Sequence, residues 1–305
     1  MAAWDPTNFQ GITASDDFIP ELWSDQVIGA YKANLVMGQL VTSFNHVGRK
    51  GDIINIPVPG RLAAVDKSEG TPVTAQNDTS TTKQVLLNKH KVVPMIVEDN
   101  ASVKALGSME QFYTDDMGYQ IAKVIDSDLL ALYSGVQGGV EVIGGDGTTA
   151  WSASSSGNGT ALTDEGVRTM MQTLDDVDVP ENDRAIVIPP VTKKTLLGLP
   201  RYTEQAFIGE GGQGNSIRNG RIGSIYGMDV FVSTQCPTIT NTSGTTSYRV
   251  GMMFHKSALA LAMQTNVKFE TQRKAEYIGD LIMAHVIYGV AELRDDAAVA
   301  FVVPA

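Results

Sequence analysis

From Pro59 to Lys83 the chain is polar and poor in core-forming residues, yet strand-like runs stand on both sides of it. Ile53-Ile54-Asn55-Ile56-Pro57-Val58 precedes the interval, after the turn Gly48-Arg49-Lys50-Gly51-Asp52, and an apolar run from Val85 to Val97 follows it. Between them lie Arg61, Asp66, Lys67, Glu69, Thr71, Gln76, Asn77, Asp78 and the run Thr79-Ser80-Thr81-Thr82. Two such strands read as a long hairpin with a wide polar tip. Pro57 has no N–H to give to a ladder, so its strand belongs at an edge. An isolated two-stranded hairpin is marginal in water. This one therefore has to lie on something else. Either it rests on an adjacent subunit, or it is a disordered surface insertion.

The rest of the chain supplies a core. Hydrophobic residues make up 43% of 305 positions, enough for one large domain or two moderate ones. The strongest helical signal runs from Glu98 to Tyr133. Leu106, Met109, Tyr113, Met117, Ile121, Val124, Leu129 and Leu132 form one stripe, with Asp115, Asp116, Lys123 and Asp126 mostly off it. A shorter helix is expected over Glu21 to Met37, and another from Asp164 to Val177, with Thr163 as its N-cap and Pro180 as its stop. Arg184 to Ile188 reads as a buried strand, Val191 to Leu197 as a short helix, and Ser224 to Val232 as a turn and strand. Gly138 to Gly159 and Phe207 to Gly223 are glycine-rich loops. Strands dominate the last third: Tyr248 to Phe254, Val267 to Gln272, Asp280 to Glu292 and Ala297 to Val303. Leu281 to Val290 is apolar at both parities, as in a strand covered on both faces. The first stretch, Met1 to Pro20, has no period but carries Trp4, Phe9, Phe18 and Ile19, so it reads as an extended arm. Its aromatics need a surface, on the same subunit or on a neighbour.

Charge and chemistry exclude more than they identify. A net charge of -11 makes direct nucleic-acid binding a poor expectation, because phosphate contacts need Lys and Arg. An anionic membrane surface is a poor expectation on the same ground. No apolar run is long enough for a membrane span, and Met1-Ala2-Ala3-Trp4-Asp5 does not open like a signal peptide. Cys236 is the only cysteine, so no intrachain disulfide can form. It reads as a small side chain in a strand. Gly209, Gly211 and Gly214 spell a dinucleotide-type glycine pattern, but no preceding strand or following helix frames it. His46, His90, His255 and His285 are scattered without metal-site spacing. The doublets Asp115-Asp116, Asp175-Asp176 and Asp295-Asp296 read as solvated faces, helix ends and turns. No catalytic, cofactor-binding or metal-ligating residue is assigned, and an assembly subunit is expected rather than an enzyme.

The order of these parts resembles one family, the tailed-bacteriophage major capsid proteins with the Hong Kong 97-type fold. Phe18-Ile19-Pro20-Glu21-Leu22-Trp23 followed by Gly48 to Pro57 looks like the N-terminal arm entering the extended loop. Glu69-Gly70 and Thr79 to Thr82 look like the loop's tip and return, and Glu98 to Tyr133 like the spine helix. Val179 to Pro190 and Asn219 to Val230 are similar to strands of the axial domain. His255 to Ala260, Glu270 to Lys274, Gly279-Asp280 and Tyr288-Gly289-Val290 resemble the return into the peripheral sheet. The resemblance implies an α+β subunit in five stretches. Residues 1–47 are the arm and short helix, 48–97 the extended loop, and 98–137 the spine helix of the peripheral domain. Residues 138–262 are the axial domain, and 263–305 the peripheral return strands.

Function follows as an expectation. Homo-pentamers and homo-hexamers would close an icosahedral head, in the virion and first in the host bacterial cytoplasm, around double-stranded DNA that is enclosed without sequence-specific binding. A separate scaffolding protein, a portal and a decoration protein are the further partners implied; no membrane and no cofactor are. Trp4, Phe9, Arg61, Asp66, Lys67 and Glu69 are the candidate inter-subunit contacts. Alternatives are an encapsulin-type nanocompartment shell, another virion protein, or an enzyme with an unrecognised carboxylate site.

Overall fold

The computed structural model describes residues 36–45, 51–58, 62, 64–72, 75, 77, 80–99, 109–136, 142–154, 156–199 and 223–305. Two sheets organise them. The first has four strands in the order β1 (Thr42–Asn45), β11 (Leu259–Lys274), β12 (Gly279–Glu292) and β4 (Lys89–Glu98). Strands β11 and β12 form one long antiparallel hairpin from Leu259↔Glu292 to Lys274↔Gly279, with irregular register between Met263 and Lys268. Strand β4 pairs antiparallel with β12, and β1 pairs parallel with the start of β11. Helix α2 (Met109–Leu130) packs on this sheet. Met117, Ile121, Leu129 and Leu130 of the helix are buried with Ile282, Ala284, Val286 and Tyr288, which a strand's period of two places on one face of β12. The opposite face carries Leu281, Met283, His285 and Ile287, which are only half-buried. The expectation that β12 is covered on both faces is therefore corrected: among the described residues, helix α2 covers one.

The second sheet has seven strands. Its path is β5 (Ile143–Gly144), β13 (Ala298–Pro304), β10 (Ser247–His255), β6 (Arg184–Ile188), β8 (Met228–Val232) and β7 (Ser224–Ile225), with β9 (Thr238–Thr240) also on β10. Every residue of β6 is buried, as are all of β13 but its last. Helix α3 (Asp164–Asp175) lies against β13, and the Thr163 hydroxyl caps it by accepting from the Gly166 amide at 3.0 Å. Helix α4 (Pro190–Leu197) starts directly after β6, with proline at its first position.

Strand β13 departs from the grouping of 263–305 into one region. It pairs with β10 from Tyr248↔Pro304 to Phe254↔Ala298, in the other sheet from β11 and β12. The cause is in its composition. Ala298-Val299-Ala300-Phe301-Val302-Val303 is apolar at every position, so it needs cover on both faces, and its place between β5 and β10 buries all six. The single turn Asp295–Ala297 carries the chain across.

The remaining hairpin stands apart as a sheet of its own. Strand β2 (Ile53–Val58) pairs antiparallel with β3 (Thr81–Leu86), from Ile53↔Leu86 to Val58↔Thr81. Residues Val85 to Val97 thus form two strands, not one, with the break at Leu87-Asn88. Glu98 ends β4 rather than starting the helix, because it still pairs with Gly279. Of the helix expected over Glu21 to Met37 only Val36 and Met37 are described; Val36 is not helical, and Met37 instead opens a separate single turn, α1 (Met37–Leu40). Cys236 is buried in the turn between β8 and β9, not in a strand.

Candidate assembly interface

The β2–β3 hairpin has one satisfied face and one bare face. At its root Val85 and Leu87 are buried with Ala260 and Ala262, and Phe44, Ile54, Ile56, Ala291 and Leu293 close the cluster. The Leu87 amide donates to the Asp52 carbonyl at 2.7 Å, and the Gln264 side-chain amide donates to the Gly51 carbonyl at 2.9 Å. On the other face the directly paired Ile53 and Leu86 are exposed. Beyond β2, Leu62 and Val65 are 70% and 68% exposed. Asp66, Lys67 and Glu69 follow, all exposed, and no ion pair among the described residues involves them. A turn shapes this span: the Thr71 hydroxyl donates to the Ser68 carbonyl at 2.8 Å, and Gly70 takes φ +78°. Of the six expected contact residues, Asp66, Lys67 and Glu69 lie close together here. Trp4, Phe9 and Arg61 lie outside the described residues.

A second uncovered surface is the open face of the four-stranded sheet. Val92 and Ile96 of β4 are exposed there beside Leu281, Met283 and Ile287. His285 sits among them, its Nε2 3.5 Å from Glu270 and its ring 5.5 Å from that of His90. The far end of the β11–β12 hairpin exposes Tyr277 and Ile278, the latter at φ +44°. Arg273 braces that end by donating both terminal nitrogens to Asp99, at 2.5 Å each, and lying 3.5 Å from Asp280. The Arg273 guanidinium holds the Asp99 carboxyl below its usual range.

Two carboxylates of helix α2 lock this platform internally. Asp126 is 3% exposed and accepts from the backbone amides of Val36 and Met37, both at 3.0 Å. It caps α1 from ninety positions away, where Val36 itself offers no side-chain cap. Burial pushes the Asp126 carboxyl above its ordinary range, against the pull of the Val36, Met37 and Gly38 amides. Asp128 accepts from the Tyr288 hydroxyl at 2.5 Å and pairs with Lys89 at 3.0 Å, tying α2 to β12 and β4. Burial, then Asp128, raises the Tyr288 phenol. Sequence periodicity set Asp126 off the apolar stripe; its spacing of three and four from the buried Leu129 and Leu130 is the signal that places it inside.

Groups that suggest chemistry turn out to serve the fold. Arg184, with a side chain only 2% exposed, donates to the Pro180 and Val179 carbonyls and pairs with Asp175 at 2.7 Å. It fastens the end of α3 to β6, on the wall of a cavity of about 270 Å³. His255 Nδ1 lies 2.7 Å from the Ser257 hydroxyl but also accepts the Ser257 amide, the pattern of a local turn rather than of an activated nucleophile. Asp146 accepts from the Thr149 hydroxyl and from the amides of Thr148 and Thr149. Burial raises that carboxyl, but these donors and the Thr160 hydroxyl outweigh it and hold it at about 2. Among the described residues no group of three or more His, Cys, Asp or Glu side chains is placed to hold a metal ion. No helix among them is long and apolar enough to cross a membrane.

The family model described as phage capsid protein matches residues 95–301. The chain belongs to the phage capsid protein family. Solved structures agree in fold. One from Mycobacterium phage Che8 is 23% identical, with 93% of this chain and 97% of that one covered at a TM-score of 0.72. The capsid of cyanophage P-SCSP1u is 19% identical, with 98% of both chains covered and a TM-score of 0.74. The capsid asymmetric unit of cyanophage Pam1 is 12% identical, with 97% and 99% covered at 0.74. No curated protein matches the chain. The capsid protein thus has the Hong Kong 97-type fold that the order of its sequence elements resembles, and it is a structural phage capsid protein.

Proposed function

We propose that this capsid protein assembles into homo-pentamers and homo-hexamers that close an icosahedral head around double-stranded DNA, and that it does so without catalysing a reaction. One observation carries the reading. Leu62 and Val65, about 70% exposed, stand on a hairpin that buries apolar residues only at its root. Leaving such side chains in water forgoes roughly 1.5–3 kcal/mol for each. A neighbouring copy that covers them turns that loss into assembly free energy. Contacts of this kind around a ring are heterologous and closing.

In this reading the β2–β3 hairpin, within residues 48–97, is the extended loop, reaching a neighbour through Asp66, Lys67, Glu69 and Arg61. The arm, 1–47, adds Trp4 and Phe9. Helix α2 with the β11–β12 hairpin is the peripheral domain, and the seven-stranded sheet is the axial domain. A net charge of -11 suits a wall that must not adhere to packaged phosphates. A separate scaffolding protein, a portal and a decoration protein complete the set of partners, and assembly takes place in the host bacterial cytoplasm. Negative-stain electron microscopy of the purified chain, alone and with neighbouring phage gene products, tests this. Closed shells or capsomer rings are expected. A persistent monomer in both preparations would overturn the reading, and shells that enclose a protein cargo in place of DNA would point to an encapsulin-type compartment.

A further inference from the structure

Two prolines stand inside edge strands, Pro94 in β4 and Pro57 in β2, and the registers fix which way each missing N–H would point. In an antiparallel ladder, pairs that exchange backbone hydrogen bonds alternate with pairs that do not. The Asp99 amide donates to the Ile278 carbonyl at 3.1 Å, which continues the β4–β12 register by one pair. Counted by twos from Asp99, Val97, Met95, Val93 and Lys91 turn their backbone polar groups toward β12. Ile96, Pro94, Val92 and His90 turn theirs outward. The Leu87 amide, donating to the Asp52 carbonyl at 2.7 Å, sets the phase of the hairpin in the same way. Ile54 and Ile56 bond to β3, and Ile53, Asn55 and Pro57 face outward. Each proline thus holds the parity at which it costs the ladder nothing and removes a donor from the free edge.

Both edges are exposed to pairing. No strand among the described residues lies on the outer side of β2 or β4. Lys91-Val92-Val93-Pro94-Met95-Ile96-Val97 and Ile53-Ile54-Asn55-Ile56-Pro57-Val58 are apolar, β-prone and nearly uncharged, and Val92, Ile96 and Ile53 are exposed. Without proline, such a window on an edge is a template for a strand of another chain. The comparably apolar runs Leu281 to Val290 in β12 and Ala298 to Val303 in β13 hold no proline, and each lies between two neighbouring strands. The other bare edge of the hairpin, β3, carries Thr81, Thr82, Lys83 and Gln84 and is polar, and β1 is only four residues long. Proline is therefore present where an apolar edge is bare and absent where it is paired.

We propose that Pro94 and Pro57 are edge guards, which keep a second copy of this chain from adding a strand to β4 or β2. Strand addition along an edge is heterologous and does not close, so it leads to open-ended growth. Refusing it leaves copies to join through faces and loops. The guard is a property of the single chain and stands whether or not shells form.

Thioflavin fluorescence of the purified full chain tests it, with hydrogen exchange locating the contact. Pro94→Ala restores the N–H without adding apolar surface. It should lower the concentration at which thioflavin-positive fibres appear about tenfold, the effect of roughly one regained backbone hydrogen bond for each copy added. The amides of Val92 and Ile96 should become protected in those fibres. Adding Val92→Lys to Pro94→Ala should restore solubility, because a charge guards an edge as well. Pro57→Ala should act in the same direction but less, its strand having six residues against ten. Asp146→Asn, which weakens the fold at the other sheet, is the control and should form no fibres. Fibres that form as readily from this control, or that leave Val92 and Ile96 unprotected, would overturn the guard, since lost stability alone would account for them. A Pro94→Ala chain as soluble as the parent would do the same. If Pro94→Ala does not fold, Pro57→Ala decides, with protection read at Ile53 and Asn55. Closed shells, present or absent under the microscope, bear on the assembly reading and leave these two readouts unchanged, so the two failures are separable.

Discussion

The two sheets of this capsid protein answer the same problem in opposite ways. The seven-stranded sheet finishes its core within the chain: β6 is buried throughout, β13 nearly so, and β10 over most of its length. The four-stranded sheet buries one face under helix α2 and leaves Val92, Ile96, Leu281, Met283 and Ile287 on the other with partial cover at most. Its hairpins overhang it, β2–β3 at one side and the far end of β11–β12 at the other. A sheet with a complete core makes a subunit that folds alone. A sheet with an unfinished face and projecting arms makes one that gains stability by meeting copies of itself. Substitutions in the first region should therefore register in subunit stability, and substitutions at the periphery of the second in assembly.

The largest effect on the subunit is expected at Phe301, which is fully buried and lies so close to Gly251 that a methyl group there would collide with the ring. Phe301→Ala should cost about 3–5 kcal/mol in urea unfolding, a large share of a typical domain's stability. A cost below about 1 kcal/mol would break the comparison at its stronger half. Asp126→Ala comes next, at about 2–3 kcal/mol, because it strands the buried amides of Val36 and Met37. Hydrogen exchange at those two amides should rise with it. The carboxyl of Asp126 also has a signed pH effect. Its folded-state affinity for protons exceeds that of the unfolded chain, so the folded state binds more protons in that window. Its contribution is therefore greatest below the ordinary carboxylate range and declines as pH rises through the raised value.

Asp146, at the edge of the seven-stranded sheet, has the opposite sign. Held at about 2, it stabilises the fold above the ordinary carboxylate range, and that stabilisation is lost as pH falls from about 4 toward 2. Asp146→Asn should cost about 1 kcal/mol at neutral pH, after allowance for solvent screening. It should also flatten the acid limb of the unfolding profile. An unchanged acid limb would mean that the Thr149 and Thr160 hydroxyls do not hold this carboxylate in solution.

Regular patterns were legible in the sequence where a local rule governs them. The Thr163 cap, the short helix expected over Val191 to Leu197 and the buried run Arg184 to Ile188 each follow from a few adjacent residues. What required the structure was long-range. Nothing near Ala298 says that its strand crosses to the other sheet; that follows only from which sheet has a place covered on both sides. Asp126 is polar in sequence and buried in space because its partners are amides ninety positions away. Gly289 was visible as part of a family-like tripeptide, but its reason, the Leu86 carbonyl resting on it, depends on how two strands cross. Of the proposed contact residues, composition pointed to the polar tip through Asp66, Lys67 and Glu69. It passed over Leu62 and Val65, which carry the apolar surface, because the run Leu62-Ala63-Ala64-Val65 is too short to show a period inside a polar stretch.

Those two residues give the smallest effect on the subunit and the sharpest test of the comparison. Leu62→Asp with Val65→Asp removes exposed apolar surface that touches no core, so the unfolding midpoint should stay within about 0.5 kcal/mol of the parent in stability. Assembly should nevertheless be lost, because a carboxylate cannot be covered by an apolar neighbour without a desolvation cost. The two readouts must separate. If the double variant destabilises the isolated chain as well, the hairpin tip folds back on its own subunit. The unfinished half would then be finished within one chain. If both stability and assembly are unchanged, the apolar tip contributes nothing to shell contacts, and the open face of the four-stranded sheet becomes the surface to alter next, beginning with Val92 and Ile96.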